Sequence, residues 1–225
     1  MALDSNKNLY LSESYNSSSQ GNIIEYTAAS SYSSSSTFWA FSQSGSSSNC
    51  SGDAFLAFDN SGNLWINANY YNGTNCNSQL GIFSSGGLTN ILSTPNGAGG
   101  DPIAFDSSGH LWLVAGPCSG CSPASNGGVY EWTSLAANAA PTTVVSSLPS
   151  GTGDNFPTQP VFDGSGNLWF ALQIGSISSS SCNTGEDIEE LPSGTTSLTT
   201  AYTYSSCNLV NGLSVIPVPT GLPLN

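Results

Sequence analysis

A short motif occurs four times along the 225-residue chain. In each copy an apolar run ends at Asp, a tight polar segment follows, and a second apolar run opens with Leu and an aromatic residue. The repeated residues, called the turn aspartates below, are Asp4, Asp59, Asp106 and Asp163, so successive copies are 55, 47 and 57 residues apart. A repeat of about 50 residues restricts the chain to architectures built from similar units.

The residue types in each copy predict a strand, a tight turn and a second strand. The Asp side chain can accept hydrogen bonds from the turn backbone, and the Gly present in three copies suits a positive φ. Third strands are predicted at 22–26, 79–83, 128–132 and 187–191, and a fourth strand follows in each unit. No segment has a helical period over a useful length. Four antiparallel strands per unit, repeated radially, predict an all-β fold, a β-propeller of about four blades.

The same repeat predicts one propeller domain, 1–225, with units at approximately 1–49, 50–97, 98–153 and 154–210. Residues 211–225 are interpreted as an extra strand and a Pro-rich tail, and the chain begins inside a first strand. Three arrangements stay open. The extra strand completes the first blade in cis, it pairs with the first blade of a neighbouring copy, or the chain is part of a larger ring.

Charge excludes two classes of partner. The chain has 14 acidic residues, one Lys and no Arg, and its formal net charge is −13. Without a basic surface it is not expected to bind nucleic acid or anionic lipid. No apolar run reaches the roughly 18–20 residues of a membrane helix, so we expect no membrane insertion. With only 7% charged residues there are few ion pairs to lose in acid, which suggests function at low pH.

Six cysteines in an acidic, Ser-rich chain predict an oxidising compartment. We therefore expect an extracellular, periplasmic or cell-surface protein. Two pairs flank equivalent loops of units two and four, and the remaining Cys-x-x-Cys pair is assigned by default. The predicted disulfides are Cys50–Cys76, Cys182–Cys207 and Cys118–Cys121. Sequons that permit N-glycosylation begin at Asn16, Asn49 and Asn72.

Four polar residues are the candidates for a ligand or metal site. Each precedes the first strand of a predicted unit, where propeller loops open at the mouth of the central channel. Carboxylate and amide oxygens would suit Ca²⁺ or Mg²⁺; ordinary turn formation is the competing interpretation. The candidates are Asp53, Asp101, Asp154 and Asn211.

The remaining recurrent residues favour structural roles. The turn aspartates keep a fixed relation to the turn, which favours capping over metal binding. His110 replaces the Asn of the other three turns and is expected on the turn surface rather than as a catalytic base. Third-strand glutamates are expected on a solvated or inter-blade face, and the aromatic residue of each motif is expected in the core between blades. The glutamates are Glu25, Glu131 and Glu190, and the aromatic residues are Tyr10, Trp65, Trp112 and Trp169.

The motif Asp-x-x-Gly-Asn-Leu-Trp resembles the blade signature of NHL-repeat proteins and of the streptogramin lyase-like and SMP-30/gluconolactonase-like β-propellers. The resemblance spans all four units and implies the propeller fold. Resemblance to the lyase-like enzymes implies a His residue that acts with a divalent metal in the central channel. Resemblance to the gluconolactonase-like enzymes implies a channel metal bound by Glu, Asn and Asp side chains. The resemblance reaches this channel metal only through Asp53, Asp101, Asp154 and Asn211, and it is carried to no residue beyond them.

These observations predict an extracellular structural or interaction propeller without catalytic activity. Its partners would be further copies of itself, joined by strand addition into a ring or filament. One alternative is a propeller that binds glycans or small ligands at the channel mouth. Another is a metal-dependent lyase or lactonase-like enzyme, against which the presence of a single His argues.

Overall fold

The computed structural model describes residues 1–13, 20–42, 54–71, 76–84, 87–95, 100–117, 126–149, 157–174, 177–178, 181–182, 185–204 and 213. Four antiparallel four-stranded sheets form a four-bladed β-propeller, which confirms the predicted fold. Within the described ranges the one helical segment is a 3-10 turn at Ala28–Ser30. No helix in that part of the chain is long and apolar enough to cross a bilayer.

Each blade takes its strands in chain order, and sequence neighbours pair antiparallel. Blade 1 comprises β1 (Ala2–Leu3), β2 (Leu9–Glu13), β3 (Gln20–Tyr26) and β4 (Ser35–Ser42). Blade 2 comprises β5 (Ala54–Phe58), β6 (Leu64–Tyr71), β7 (Cys76–Ser84) and β8 (Gly87–Leu92). Blade 3 comprises β9 (Ile103–Phe105), β10 (Leu111–Ala115), β11 (Gly128–Trp132) and β12 (Thr142–Val145). Blade 4 comprises β13 (Val161–Phe162), β14 (Leu168–Ile174), β17 (Gly185–Leu191) and β18 (Thr199–Tyr204), with the hairpin β15 (Ile177–Ser178) and β16 (Ser181–Cys182) inserted after β14.

Strand register decides which side chains face each neighbouring blade. In blade 3, β10 pairs with β11 so that Trp112 lies opposite Glu131. Because side chains alternate along a strand, Trp112 and Val114 face blade 4, whereas Leu111 and Leu113 face blade 2. Both faces of a central strand are thus buried, which explains why each motif strand opens with at least three apolar residues.

Three apolar clusters hold successive blades together, and each contains a pair of aromatic rings from two neighbouring blades. The ring at the end of the first strand of one blade packs against the motif ring of the blade before it. These pairs are Tyr10–Phe58, Trp65–Phe105 and Trp112–Phe162, with centroid distances of 5.2, 6.1 and 5.8 Å. The interplanar angles of 63–68° are edge-to-face geometry, which aromatic quadrupoles favour.

The junction of blade 4 with blade 1, called the seam below, is less buried. Leu3 occupies the position that Phe58, Phe105 and Phe162 have in the other blades, but its side chain is 57% exposed. Leu9 and Leu11 of β2 are half-buried, whereas their counterparts in the other blades are at most 5% exposed. The counterparts of Leu9 are Leu64, Leu111 and Leu168, and those of Leu11 are Ile66, Leu113 and Phe170. Among the described residues no apolar cluster joins blade 4 to blade 1.

Candidate functional site

The turn between the first two strands of each blade is organised by its turn aspartate. In blade 2, Asp59 Oδ1 accepts hydrogen bonds from the backbone N–H groups of Ser61 (2.9 Å) and Asn63 (2.8 Å). Its Oδ2 accepts from Asn63 Nδ2 (2.8 Å) and from Trp65 Nε1 (3.0 Å). One carboxylate therefore fixes the turn, the Asn and the indole, which accounts for the conjunction of Asp, Asn and Trp in the motif.

The carboxyl groups of Asp59 and Asp163 each accept four hydrogen bonds, which favour their ionised forms. In blade 4 the Trp169 indole and the Asn167 backbone N–H lower the pKa of Asp163 to about 2. For Asp59, burial raises the pKa, but the hydrogen bonds from Asn63 and Trp65 outweigh that effect and leave the pKa below its ordinary value. Both groups therefore act as anionic acceptors at neutral pH.

Blade 1 departs from this pattern in two places. Lys7 stands where the other turns have Gly, and it adopts a left-handed backbone with φ of 66°. Tyr10 replaces Trp and donates its hydroxyl to Glu25 Oε1 at 3.0 Å rather than reaching the turn aspartate. Burial and this hydrogen bond raise the pKa of Tyr10.

Blade 3 departs in a way that brings together chemically active groups. His110 Nδ1 lies 2.9 Å from Glu131 Oε1 and 3.4 Å from Asp106 Oδ2. Asp106 Oδ2 also accepts from Trp112 Nε1 at 3.1 Å, and Oδ1 accepts from the His110 backbone N–H. One imidazole nitrogen therefore lies between two partly buried carboxylates, and the three ligand-type atoms fall within 4.8 Å of one another.

A cleft of about 430 Å³, called the interblade cleft below, opens beside this cluster. Blade 3 contributes Asp106, Trp112 and Glu131 to its wall, and blade 4 contributes an apolar floor and a rim of hydroxyl groups. The blade 4 residues include Phe162, Leu168, Leu191, Ser193 and Thr195. Sequence reasoning assigned Asp106, His110 and Glu131 to separate structural roles and missed their association. The replacement of Asn by His in one turn was the available signal.

A second carboxylate pair lies inside blade 4. Glu189 is fully buried, on the β17 face that packs on blade 3, opposite Phe170. Its Oε1 accepts a hydrogen bond from Thr200 Oγ1 at 2.8 Å. In the described part of the chain, Glu189 Oε2 and Asp187 Oδ1 are buried without a hydrogen-bond partner. Burial, with the charge of Asp187, raises the pKa of Glu189 despite the Thr200 hydrogen bond.

Of the channel-mouth candidates only Asp101 lies among the described residues. Its Oδ1 accepts from the Gly116 backbone N–H at 3.2 Å, and its carbonyl oxygen accepts from Asn67 Nδ2 at 2.8 Å. The first contact lies within blade 3 and the second joins blade 2 to blade 3, so both give Asp101 a structural role. The other three candidates, Asp53, Asp154 and Asn211, lie outside the described residues, so the channel-mouth site stays a prediction.

The predicted covalent features also fall outside the described part of the chain. Cys50, Cys118, Cys121 and Cys207 and the sequon residues Asn16, Asn49 and Asn72 are not described. Cys76 begins β7 and Cys182 ends β16, and only their backbone positions are described. The three disulfide pairings therefore stay predictions.

Comparison with known proteins gives no family assignment: no protein-family model matches the chain, and no curated protein sequence matches it. The class of protein is therefore defined by the fold, a four-bladed β-propeller. Because this fold supports many unrelated activities, an argument about function must begin from the seam, the interblade cleft and the carboxylate clusters.

Proposed function

We propose that the chain is a non-catalytic interaction propeller that works outside the cell and binds further copies of itself through the seam. The observation that carries this proposal is the contrast between the seam and the other three junctions. Leu3 is exposed at the first blade, and Trp169 of the last blade has no aromatic partner among the described residues.

The two sides of the seam repeat the complementarity used inside the chain. Trp169 lies on the blade 4 face that corresponds to the Trp112 face of blade 3, which receives Phe162. Leu3, Leu9 and Leu11 correspond to the residues that later blades bury against the preceding blade. A contact between blade 4 of one copy and blade 1 of another would therefore reuse an existing geometry. Head-to-tail contacts of this kind give rings or filaments.

The use of the repeated polar groups supports a role without catalysis. The carboxylates of Asp59 and Asp163 each accept four hydrogen bonds, which hold turns rather than substrate. The Asn and Trp side chains of the motif donate to the same carboxylates. The recurring Asp, Asn and Trp side chains of these turns therefore stabilise the fold.

Light scattering of the native chain over a range of concentrations tests self-association. We expect a mass above the 23.1 kDa of one chain, and a fall to that value when Leu3→Asp places a charge in the seam. Asn60→Asp adds the same charge on an exposed turn of blade 2 and should leave the mass unchanged. A wild-type chain of 23.1 kDa at every concentration would contradict the proposal and would indicate closure of the seam within one copy.

The interblade cleft favours a second candidate, the binding of a glycan or other small polyol. Trp112 provides an aromatic wall, and Thr142, Thr143, Ser193 and Thr195 provide hydroxyl groups, a combination suited to sugar rings. Titration with soluble oligosaccharides should change Trp fluorescence. Ser193→Phe should abolish the change, and Ser61→Phe, at an exposed turn position of blade 2, should not.

We also propose that the motif reflects a relationship to the NHL-repeat and SMP-30-like propellers. The support is the recurrence of Asp-x-x-Gly-Asn-Leu-Trp and its common hydrogen-bonding role in blades 2 and 4. A crystal structure tests the relationship. Blades arranged differently from those of the NHL-repeat and SMP-30-like propellers would exclude it.

A further inference from the structure

We propose that Asp106, His110 and Glu131 bind a divalent first-row transition-metal cation at the rim of the interblade cleft. This site is distinct from the channel mouth, and it is independent of self-association, because none of its residues lies at the seam. The chain would supply one imidazole nitrogen and two carboxylate oxygens.

The distances suit such a cation. Two ligand atoms at about 2.1 Å from a tetrahedral metal lie about 3.4 Å apart. His110 Nδ1 and Asp106 Oδ2 have this separation, 3.4 Å. The 2.9 Å between His110 Nδ1 and Glu131 Oε1 is that of a hydrogen bond. A metal would replace the shared proton and push the partly exposed Glu131 side chain outward by about 0.5 Å.

The charge balance also calls for a cation. Asp106 and Glu131 bring two carboxylates to one imidazole, which can supply at most one positive charge. The chain has one Lys and no Arg, and Lys7 belongs to the turn of blade 1. Compensation by a Lys or Arg side chain is therefore not available to this cluster, whereas a divalent ion from solution would balance both carboxylates.

The four turns form an internal comparison that isolates the contribution of His110. Asn8 and Asn167 occupy the equivalent position in blades 1 and 4, where a third-strand Glu is also present. The Asn amide nitrogen donates to the turn aspartate and has no lone pair to offer a metal. A ring nitrogen can bind zinc, copper, nickel or iron when deprotonated. Only blade 3 therefore combines all three ligand types.

The arrangement leaves coordination positions for other ligands. Three protein ligands with an open fourth position are characteristic of zinc sites that bind water or a ligand atom. Because Asp106 and Glu131 line the interblade cleft, a molecule in the cleft would reach the metal through an oxygen atom. The Trp112 indole, which donates to Asp106 Oδ2, would report on occupancy through its fluorescence.

Calorimetric titration of the untagged chain with Zn²⁺ tests the proposal. We expect one equivalent to bind in the wild-type chain and binding to weaken at least about 10-fold in His110→Asn. This variant has the Asn of the other turns and should keep the turn hydrogen bonds, and circular dichroism would verify its fold. Glu131→Gln should weaken Zn²⁺ binding likewise. The wild-type melting temperature should rise with Zn²⁺, because the ion binds the folded state.

Two reciprocal variants provide matched controls. Asn167→His in blade 4 adds an imidazole beside Asp163 and Glu190 and should create a second equivalent of bound Zn²⁺. Asn63→His in blade 2 should not, because Ile82 rather than Glu lies opposite Trp65. Equal Zn²⁺ binding by wild type and His110→Asn, or no binding by the wild type, would overturn the proposal and leave His110 as a hydrogen-bonding residue alone.

Discussion

Asp163 and Glu189 belong to the same blade, but their surroundings shift their pKa values in opposite directions. Asp163 lies at a turn where two backbone N–H groups, an amide and an indole donate to it, and its pKa falls to about 2. Glu189 is fully buried, receives one hydroxyl hydrogen bond at Oε1, and has a raised pKa. The comparison teaches that the supply of donors, together with burial, decides which form of a carboxyl group the fold favours.

The two groups therefore make stability depend on pH in opposite senses. Asp163 stabilises the fold above its ordinary pKa of 3.8, and this contribution is lost as pH falls towards 2. Glu189 stabilises the fold in its protonated form below its ordinary pKa of 4.5, and this contribution is lost as pH rises through the raised value. Both contributions are therefore present together only at a mildly acidic pH.

Removing a turn carboxylate gives the largest expected effect. Asp59→Ala leaves the donors of Ser61, Asn63 and Trp65 without their common acceptor. Because the turn is partly exposed and water can replace part of the loss, we expect a decrease of about 2–3 kcal/mol in the free energy of unfolding at pH 7. Urea denaturation measures it, with Asn60→Ala as the neighbouring control. A loss equal to that of the control would contradict the turn assignment.

A conservative change at Asp163 tests the acid side of the comparison. Asp163→Asn keeps the size of the side chain and one acceptor oxygen but removes the titrating group. The melting temperature of the variant should be lower than wild type at pH 5, and the two should converge as pH falls from 3.8 towards 2. Calorimetry across this range measures the effect. A constant difference down to pH 2 would show that proton uptake by Asp163 is not the cause.

The matching change at Glu189 should have the opposite sign. Glu189→Gln resembles the protonated form, so we expect a gain of about 1 kcal/mol in the free energy of unfolding at pH 7 and almost none at pH 3. Glu13→Gln, at an exposed position of blade 1, is the control for the loss of one charge. Destabilisation at pH 7 would mean that Glu189 is needed in its ionised form.

The smallest effect is expected within the turns themselves. Lys7 has φ of 66°, whereas Gly62, Gly109 and Gly166 have φ of 83° at the same position. Lys7→Gly removes the strain of a left-handed backbone but raises the conformational entropy of the unfolded chain. We expect a net gain of about 0.5–1 kcal/mol in the free energy of unfolding. Urea denaturation at high salt measures this gain without the contribution of the lost charge. No gain would indicate that the Lys7 side chain makes a compensating contact.

The repeat was sufficient to predict the propeller, and it placed β11 at its observed ends. The capping of the turn by Asp could also be predicted, since Asp, Gly and Asn lie within five consecutive residues. The contact between His110 and Glu131 could not be predicted from the sequence, because these residues are 21 positions apart and are brought together only by the register of β10 and β11. Glu189 was missed because its neighbour Glu190 carries the repeat pattern on the opposite face of β17.

The channel-mouth prediction illustrates a further limit. From the sequence, a carboxylate before a first strand is either a metal ligand or a turn residue, and its backbone donors are not visible there. In the structure the Gly116 N–H donates to Asp101 Oδ1. That donor belongs to the end of a strand whose position depends on the packing of the whole blade.

Lys7 has a consequence for how the protein is degraded. Proteases that cleave after Lys or Arg have one target bond in this sequence, Lys7–Asn8. The Lys7 N–H donates to the carbonyl oxygen of Asp4, and the Asn8 N–H donates to its carboxylate, so the turn must open before a protease can bind it. A single cut there would detach only the segment that carries β1 and Leu3. A trypsin-like enzyme would thus separate residues 1–7 from the remainder of this sequence and leave blades 2 to 4 uncut.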